Sequence, residues 1–267
     1  MNNLKAISDQ NYLKNQQYRS GDNLDARIQL HRRFSTNPTI YFEWMFDQLN
    51  LQAGMQVLEV GCGTGEFWRT NLPRLPDNLR PKLLDLSAGM AAVARASVRQ
   101  DTRFSFTTAD AQNLPFGDRR FDVVLANYML YHVPNIPQAV RELRRVLVPG
   151  GRLCAATNGT SHMQELRELM HRFHLQHAEV PDFVGRYGLK NAPSILRSSF
   201  EHVNVIPFNN TLFVTETQPL IDYIHSMVGL WNFPPDAELD LVKWVEFEIQ
   251  TKGGFTIHIS SGVVLAW

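Results

Sequence analysis

The sequence has few cysteines, no excess of either charge and no long apolar run. Its 2 cysteines, Cys62 and Cys154, cannot form a disulfide framework or a Cys-x-x-Cys site. Lys+Arg and Asp+Glu both total 26, so no net field attracts nucleic acid or an anionic membrane. Residues 1–17 lack the apolar core of a signal peptide, and no run approaches a membrane span. We therefore expect a cytoplasmic protein that binds a small molecule, with no nucleic-acid or membrane partner.

What the sequence does contain is an alternation of strand and helix patterns. Strands are predicted at 56–60, 82–86, 103–108, 121–127 and 152–157, and helices at 67–72, 89–98 and 138–147, the last stopped by Pro149-Gly150-Gly151. This alternation predicts an α/β fold with a parallel, doubly wound sheet. Ligands of such sheets bind outside the carboxyl ends of the strands.

The regions on either side of this alternation are predicted to cover the sheet. Residues 1–50 carry two helical stretches, the second starting with Asn37 as N-cap and Pro38, and they form either a lid over the ligand or a packed helical pair. Helices are expected at 161–178, 194–200, 217–230 and 235–251, a loop at 181–193, and strands at 202–208, 211–215 and 255–266. The predicted division is a lid (1–50), a core (51–160), a cap with one core strand (161–252) and a terminal core strand (253–267).

A glycine-rich turn directly after the first strand indicates a cofactor site. Gly61, Gly63 and Gly65 let backbone N–H groups approach a ligand at a helix N-terminus. The dinucleotide fingerprint needs glycine at the position of Glu66, and no Gly-Lys-Ser/Thr follows as in a phosphate-binding loop. The spacing therefore favours a cofactor without phosphates.

Polar side chains follow the next strands at the same predicted edge. Asp85 can bind both hydroxyls of a ribose or cap the next helix, and Asp110 can accept from an adenine amino group or cap a turn. Asn127 ends strand four, and His132 follows it. Because an imidazole titrates near neutrality, His132 is the candidate catalytic base; the alternative is a hydrogen bond to cofactor, substrate or backbone.

Five motifs in order, covering roughly residues 50–160, resemble those of class I S-adenosylmethionine (SAM) dependent methyltransferases of the type 11 group. They are Glu59–Gly65, Asp85–Met90, Asp110–Phe116, Phe121–Val133 and Arg141–Gly151. The resemblance implies a seven-stranded Rossmann-like sheet of order 3-2-1-4-5-7-6 whose last strand, 255–266, is antiparallel. It also implies SAM as cofactor, S-adenosylhomocysteine (SAH) as product, and cofactor contacts from Glu59, Gly61, Cys62, Gly63, Asp85, Leu86, Met90, Asp110, Ala111 and Asn127.

Methyl transfer to O, N or C needs little more than alignment of nucleophile, methyl and sulfur in a dry pocket. Aromatic side chains can form the substrate wall, or simply core: Tyr18, Tyr128, Tyr131, Phe183, Tyr187 and Trp231. We expect a small aromatic or apolar acceptor from specialised metabolism and a monomer or homodimer. The alternatives are methylation of tRNA or protein, and a catalytically silent SAM-binding subunit.

We expect no metal, because His171, His174 and His177 on one helix lack a matching ligand cluster.

Overall fold

A seven-stranded sheet forms the centre of the protein in a computed structural model that describes residues 7–99, 101–173, 182–227 and 235–267. The strands are β1 (Gln56–Val60), β2 (Arg80–Asp85), β3 (Ser105–Thr108), β4 (Phe121–Asn127), β5 (Leu147–Asn158), β6 (Val203–Val214) and β7 (Phe255–Ala266). Their order is β3-β2-β1-β4-β5-β7-β6, with β1 to β5 parallel and β7 antiparallel to both neighbours. The predicted doubly wound sheet and its antiparallel last strand are confirmed.

Helices cover both faces of this sheet. They are α1 (Gln10–Tyr12), α2 (Asp22–Phe34), α3 (Tyr41–Leu49), α4 (Glu66–Asn71), α5 (Ala88–Ser97), α6 (Ile136–Val146), α7 (Gln164–Arg172), α8 (Phe183–Arg186), α9 (Ala192–Leu196), α10 (Thr217–Ser226) and α11 (Pro235–Lys252). A π-helical segment, Leu13–Gln17, continues α1. Among the described helices, none combines the length and the apolar character needed to cross a bilayer.

Alternating strand residues build one core on each face of the sheet. Leu58 and Val124 pack with α6 and α9 on one side, whereas Leu83 and Leu125 pack with α3, α4 and α5 on the other. The central strands are buried on both faces, as their continuous apolar runs predict. The sheet thereby holds the carboxyl ends of β1, β2 and β4 rigidly at one edge.

A third core lies where β6 and β7 extend beyond the rest of the sheet. β5 pairs only with residues 261–266 of β7, while β6 pairs with all 12 residues of β7. The extension carries Leu212, Val214, Ile257 and Ile259, which pack against α2, α7, α10 and α11. The helix α2 therefore shares its core with the cap; the four-part division predicted for the chain remains a prediction.

Several element boundaries differ from those predicted, because tertiary pairing overrides local signals. The helix α3 begins at Tyr41 and not at Asn37-Pro38: the amides of Thr36 and Asn37 donate to Thr211 O (2.8 Å) and Asn210 Oδ1 (3.1 Å), which keeps this segment extended against β6.

The other differences concern strands and loops. β5 begins at Leu147, before the segment 149–151 predicted to separate the preceding helix from this strand. The reason is that Leu147 pairs with Phe121, after which the register of the two strands shifts. Strands predicted at 202–208 and 211–215 form the single strand β6, since every residue between them pairs with β7. The predicted loop 181–193 contains α8 and the start of α9, so the helix expected at 194–200 begins earlier. Parts of the helices expected at 161–178 and 217–230 lie outside the described residues.

Candidate active site

A cavity of about 1390 Å³ lies at the carboxyl ends of β1, β2 and β4. Its floor is the glycine turn and the residues that follow these strands. Its cover is the N-terminal segment from Ile7 through α2, and it extends past β5 to α7 and α10. For residues 7–34 this placement favours a lid over a packed helical pair, and the lid remains a prediction.

The glycine turn presents a bare backbone surface to the cavity. The amides of Gly61 and Cys62 donate to Leu84 O (2.7 and 3.0 Å), and that of Gly63 donates to Asp85 Oδ2 (2.9 Å). These three donors are thus occupied by β2 and its end, whereas a phosphate cradle would leave them free. Gly61 has φ +72°, and an added Cβ would lie 2.7 Å from Met129 Cβ, so only glycine fits.

The carboxylate of Asp85 joins the end of β2 to the glycine turn. Its Oδ1 accepts the Ser87 amide at 2.8 Å while Oδ2 accepts from Gly63. The N-cap of α5 is Ser87, whose hydroxyl accepts the Met90 amide. Burial raises the pKa of Asp85, and the backbone donors from Ser87 and Gly63 oppose that rise. The remaining lone pairs of this fixed carboxylate can accept two vicinal hydroxyls, as a ribose would offer.

Asp110 lies beyond the end of β3, under the N-terminal segment. Its Oδ2 accepts Gln10 Nε2 at 2.6 Å, and its Oδ1 accepts the Gln112 amide at 2.9 Å. Ala111 follows at 6% exposure and lines the same wall. An adenine amino group bound by Asp110 would therefore share this carboxylate with the lid residue Gln10.

The buried carboxyl of Glu59 lies beneath the turn. Its Oε2 accepts Trp68 Nε1–H and its Oε1 accepts Asn127 Nδ2–H, both at 2.6 Å. Burial raises the pKa of Glu59 to about 8, against the lowering effect of these two donors. Trp68 is fully buried, and its indole N–H holds the Glu59 carboxyl in place.

Two unsatisfied polar atoms show where a polar ligand would fit. Thr64 Oγ1 and Asn127 Oδ1 are buried and have no partner among the described residues, and both residues line the cavity. Such atoms are costly unless a ligand or water satisfies them. Asn127 Oδ1, an acceptor, fits an ammonium group such as the one SAM carries. Cys62, Leu86 and Met90 complete the apolar lining beside the turn.

His132 is connected to the lid through both ring nitrogens. Its Nδ1 lies 2.8 Å from Ile7 O and its Nε2 lies 2.9 Å from the Tyr18 hydroxyl. A carbonyl can only accept, so Nδ1 carries the proton and Nε2 accepts from Tyr18. Burial lowers the pKa of His132 to about 4, although the bond to Ile7 opposes this. The imidazole is therefore neutral at pH 7.

Aromatic rings surround this histidine. Tyr131 and Phe183 lie edge to face at 5.3 Å between centroids, and both contact the His132 ring. Tyr128, with φ 53°, reaches the same cavity from the end of β4. Arg186 fixes this segment by donating to the carbonyls of Tyr131 and Val133.

One member of the predicted substrate wall is not found there, and another lies outside the described residues. Tyr187 is fully buried in the core with α6 and α9 and does not line the cavity. The short helix α8 ends at Arg186 and turns Tyr187 inward, which alternation in the sequence could not indicate. Trp231 lies outside the described residues.

The far end of the cavity contains polar residues that the sequence did not single out. They are Arg27 and His31 on α2, Asn158 at the end of β5, His162 after β5, Ser261 on β7, and Tyr41 on α3. Each stands in a segment without a motif, so no local signal marks it. Among the described residues, no group of three or more His, Cys, Asp or Glu side chains is placed to hold a metal ion.

Comparison with known proteins agrees with this geometry. Residues 58–155 match the methyltransferase domain family, type 11. The chain is 38% identical over 119 residues to methyltransferase GfsG of Streptomyces halstedii, covering 43% of this chain and 41% of that protein. It is 34% identical over 151 residues to a 2-phytyl-1,4-naphtoquinone methyltransferase of Thermosynechococcus vestitus, covering 56% of this chain and 66% of that protein. The chain thus spans less than two thirds of the length of these curated relatives.

Solved structures share the fold at low identity. The YcgJ protein of Bacillus subtilis gives a TM-score of 0.57 at 17% identity, covering 84% of this chain and 96% of that one. A Haemonchus contortus phosphoethanolamine N-methyltransferase 2, in complex with SAM, gives a TM-score of 0.57 at 18% identity, covering 97% of this chain and 59% of that one. Sheet order and glycine turn define a class I methyltransferase fold. Within that fold class, residues 58–155 match the model of the methyltransferase domain family, type 11.

Proposed function

We propose that this protein is a SAM-dependent methyltransferase acting on a small molecule with an aromatic or apolar body. One observation carries the proposal: the glycine turn and the aromatic cluster around His132 face a single covered cavity of about 1390 Å³. When bound, SAM supplies a methyl group on a sulfonium. Gly61, Asp85 and Asp110 would hold it, and Tyr131 and Phe183 would orient the acceptor.

The lid would exclude water during transfer. Three hydrogen bonds fasten it to the strand ends: Gln10 to Asp110, the Ser87 hydroxyl to Tyr18 O (3.0 Å), and Tyr18 to His132. A dry cavity favours alignment of nucleophile and methyl carbon, and positioning alone can account for several kcal/mol of the barrier. Because the lid covers both halves of the cavity, a small acceptor fits this site better than tRNA or a protein surface.

Tyr18 and His132 can remove the proton that the acceptor loses. The Tyr18 oxygen keeps lone pairs that can accept from an acceptor O–H or N–H, while its own proton passes to His132 Nε2. With a pKa of about 4, His132 is a weak base. A weak base is strong enough for an oxygen acceptor that attacks before it loses its proton, because the methylated oxonium formed by that attack is a strong acid.

The test is incubation of the purified protein with methyl-labelled SAM and a small-molecule extract. We expect a labelled product of low mass, and none with Asp85→Ala. Label on added tRNA or protein would support the macromolecular alternative, and SAH binding without any labelled product would support the silent subunit.

A further inference from the structure

The arginine of α2 at the far end of the cavity has hydrogen-bonding capacity that the described residues do not use. Arg27 lines the cavity from α2. It lies one turn beyond Leu24, a residue so close to the glycine turn that a Cβ added to Gly63 would lie 2.9 Å from Leu24 Cδ2. Its Nε donates to Ser226 Oγ at 3.0 Å and its Nη2 to Ser226 O at 2.7 Å. These bonds fix the guanidinium at the end of α10.

Two of the five N–H groups of Arg27 are therefore occupied, and the other three have no partner in the part of the chain that the structure describes. One proton of Nη1 and the second proton of Nη2 form the end-on fork that matches a carboxylate, and the other Nη1 proton points away from it. No carboxylate of the described residues lies within ion-pair distance of Arg27. A half-buried cation without a counter-ion is costly, and a bound anion would relieve that cost.

Arg27, His31 and His162 lie at the far end of the cavity, which we call the acceptor end. The positive charge contributes to lowering the pKa of His132 and also acts on Tyr131 and Tyr223. His31, one turn further along α2, has no hydrogen-bond partner among the described residues, and its ring is nearly parallel to that of His162 at 6.4 Å between centroids. Both rings line the cavity and offer N–H groups to a polar ligand.

We propose that the methyl acceptor carries a carboxylate, which binds the free fork of Arg27 with His31 beside it. This inference rests on the proposed function and names the acceptor's class: an aromatic or apolar acid. Tyr131 and Phe183 hold its body, and the reacting atom lies near Tyr18.

The test compares acids with their methyl esters on the SAH-saturated protein. Calorimetric titration uses 4-hydroxybenzoate, cinnamate and decanoate, each against its ester. For at least one pair we expect the acid to bind about tenfold more tightly or better, because a charge-assisted fork is lost in the ester. Arg27→Gln should abolish the preference and Arg27→Lys should retain part of it. The control is Arg33→Gln, which lies on α2 like Arg27 and removes a surface ion pair with Glu216. This variant should keep the full preference for the acid.

Three results separate the explanations. Equal binding of acid and ester for every pair, or no binding of any acid, overturns the proposal. If Arg27→Gln weakens SAH but not 5′-methylthioadenosine, which lacks the amino-acid part, Arg27 binds the cofactor's carboxylate and the proposal is also wrong. Failure of the unaltered protein to bind SAH contradicts the proposed function itself. A thermal melt of each variant shows whether it is folded.

Discussion

The cofactor end of the cavity is built from residues that are neighbours in the sequence, whereas the acceptor end combines segments far apart in the chain. Glu59, Gly61 and Gly63 lie at the end of β1 and in the turn directly after it, and Asp85 ends the adjacent strand β2. At the acceptor end, Arg27 meets Ser226 across 199 positions. The first kind of site depends on local backbone geometry, the second on how the lid and cap pack together.

If the cofactor end depends on Asp85, its removal should have the largest effect. Asp85→Ala deletes the acceptor proposed for the ribose and also frees the Gly63 amide. Loss of two charge-assisted hydrogen bonds predicts an affinity for SAH about 1000-fold weaker. Calorimetry measures it. Asp118→Ala, which removes a carboxylate from an exposed ion pair with Arg145, is the control, and an affinity equal to that control would contradict the assignment.

Gly61→Ala tests the backbone of the same turn. The new methyl group would lie 2.7 Å from Met129 Cβ at φ +72°, so we expect the free energy of unfolding to fall by about 3 kcal/mol. Gly54 has φ +80° with nothing within 4 Å, and Gly54→Ala should cost only about 1 kcal/mol. Equal losses in urea unfolding would show that the close approach to Met129 is unimportant.

Tyr18 and His132 join the two ends and should affect rate more than cofactor binding. Tyr18→Phe and His132→Asn each break the 2.9 Å hydrogen bond between them. We expect kcat to fall about 100-fold, the lower range for a lost proton acceptor, with the SAH affinity nearly unchanged. If both parameters fall together, the pair serves lid closure and not proton removal.

Acid sensitivity should reside at the acceptor end and should be the smallest of these effects per pH unit. Burial lowers the pKa of His31 to about 4 and that of His162 to about 3. These pKa values in the folded protein lie below the unfolded value of about 6.5, so unfolding takes up protons in acid. The free energy of unfolding is therefore fully retained above pH 6.5 and falls as the pH drops toward 4. His162→Asn should reduce that slope by about 1.4 kcal/mol per pH unit. Unfolding by urea across this range measures it, with the exposed His202→Asn as control; an unchanged slope in His162→Asn would contradict the account.

The sheet could be predicted because its signals are local. The apolar runs of β1 and β4, the glycine turn and the acids at strand ends lie in consecutive residues, and their order matches a known family. Boundaries failed where distant pairing decided them, as at Asn37, held extended by β6, and at Leu147, paired with Phe121.

The acceptor end could not be predicted in the same way. Tyr187 looked like Tyr131 in the sequence, yet one points into the core and the other into the cavity. Arg27 had no motif around it, and its significance comes from its contact with Ser226 and from having no counter-ion among the described residues. Only the packing of α2 on α10 reveals such a residue.

The most direct test of the account is calorimetric titration of the unaltered protein with SAH and, separately, with NAD. The amides of the glycine turn already donate hydrogen bonds to β2, so the turn suits an adenosyl group without phosphates. We predict one SAH bound per chain in the micromolar range and no measurable binding of NAD. Absence of SAH binding, or NAD binding of equal strength, would contradict the central claim.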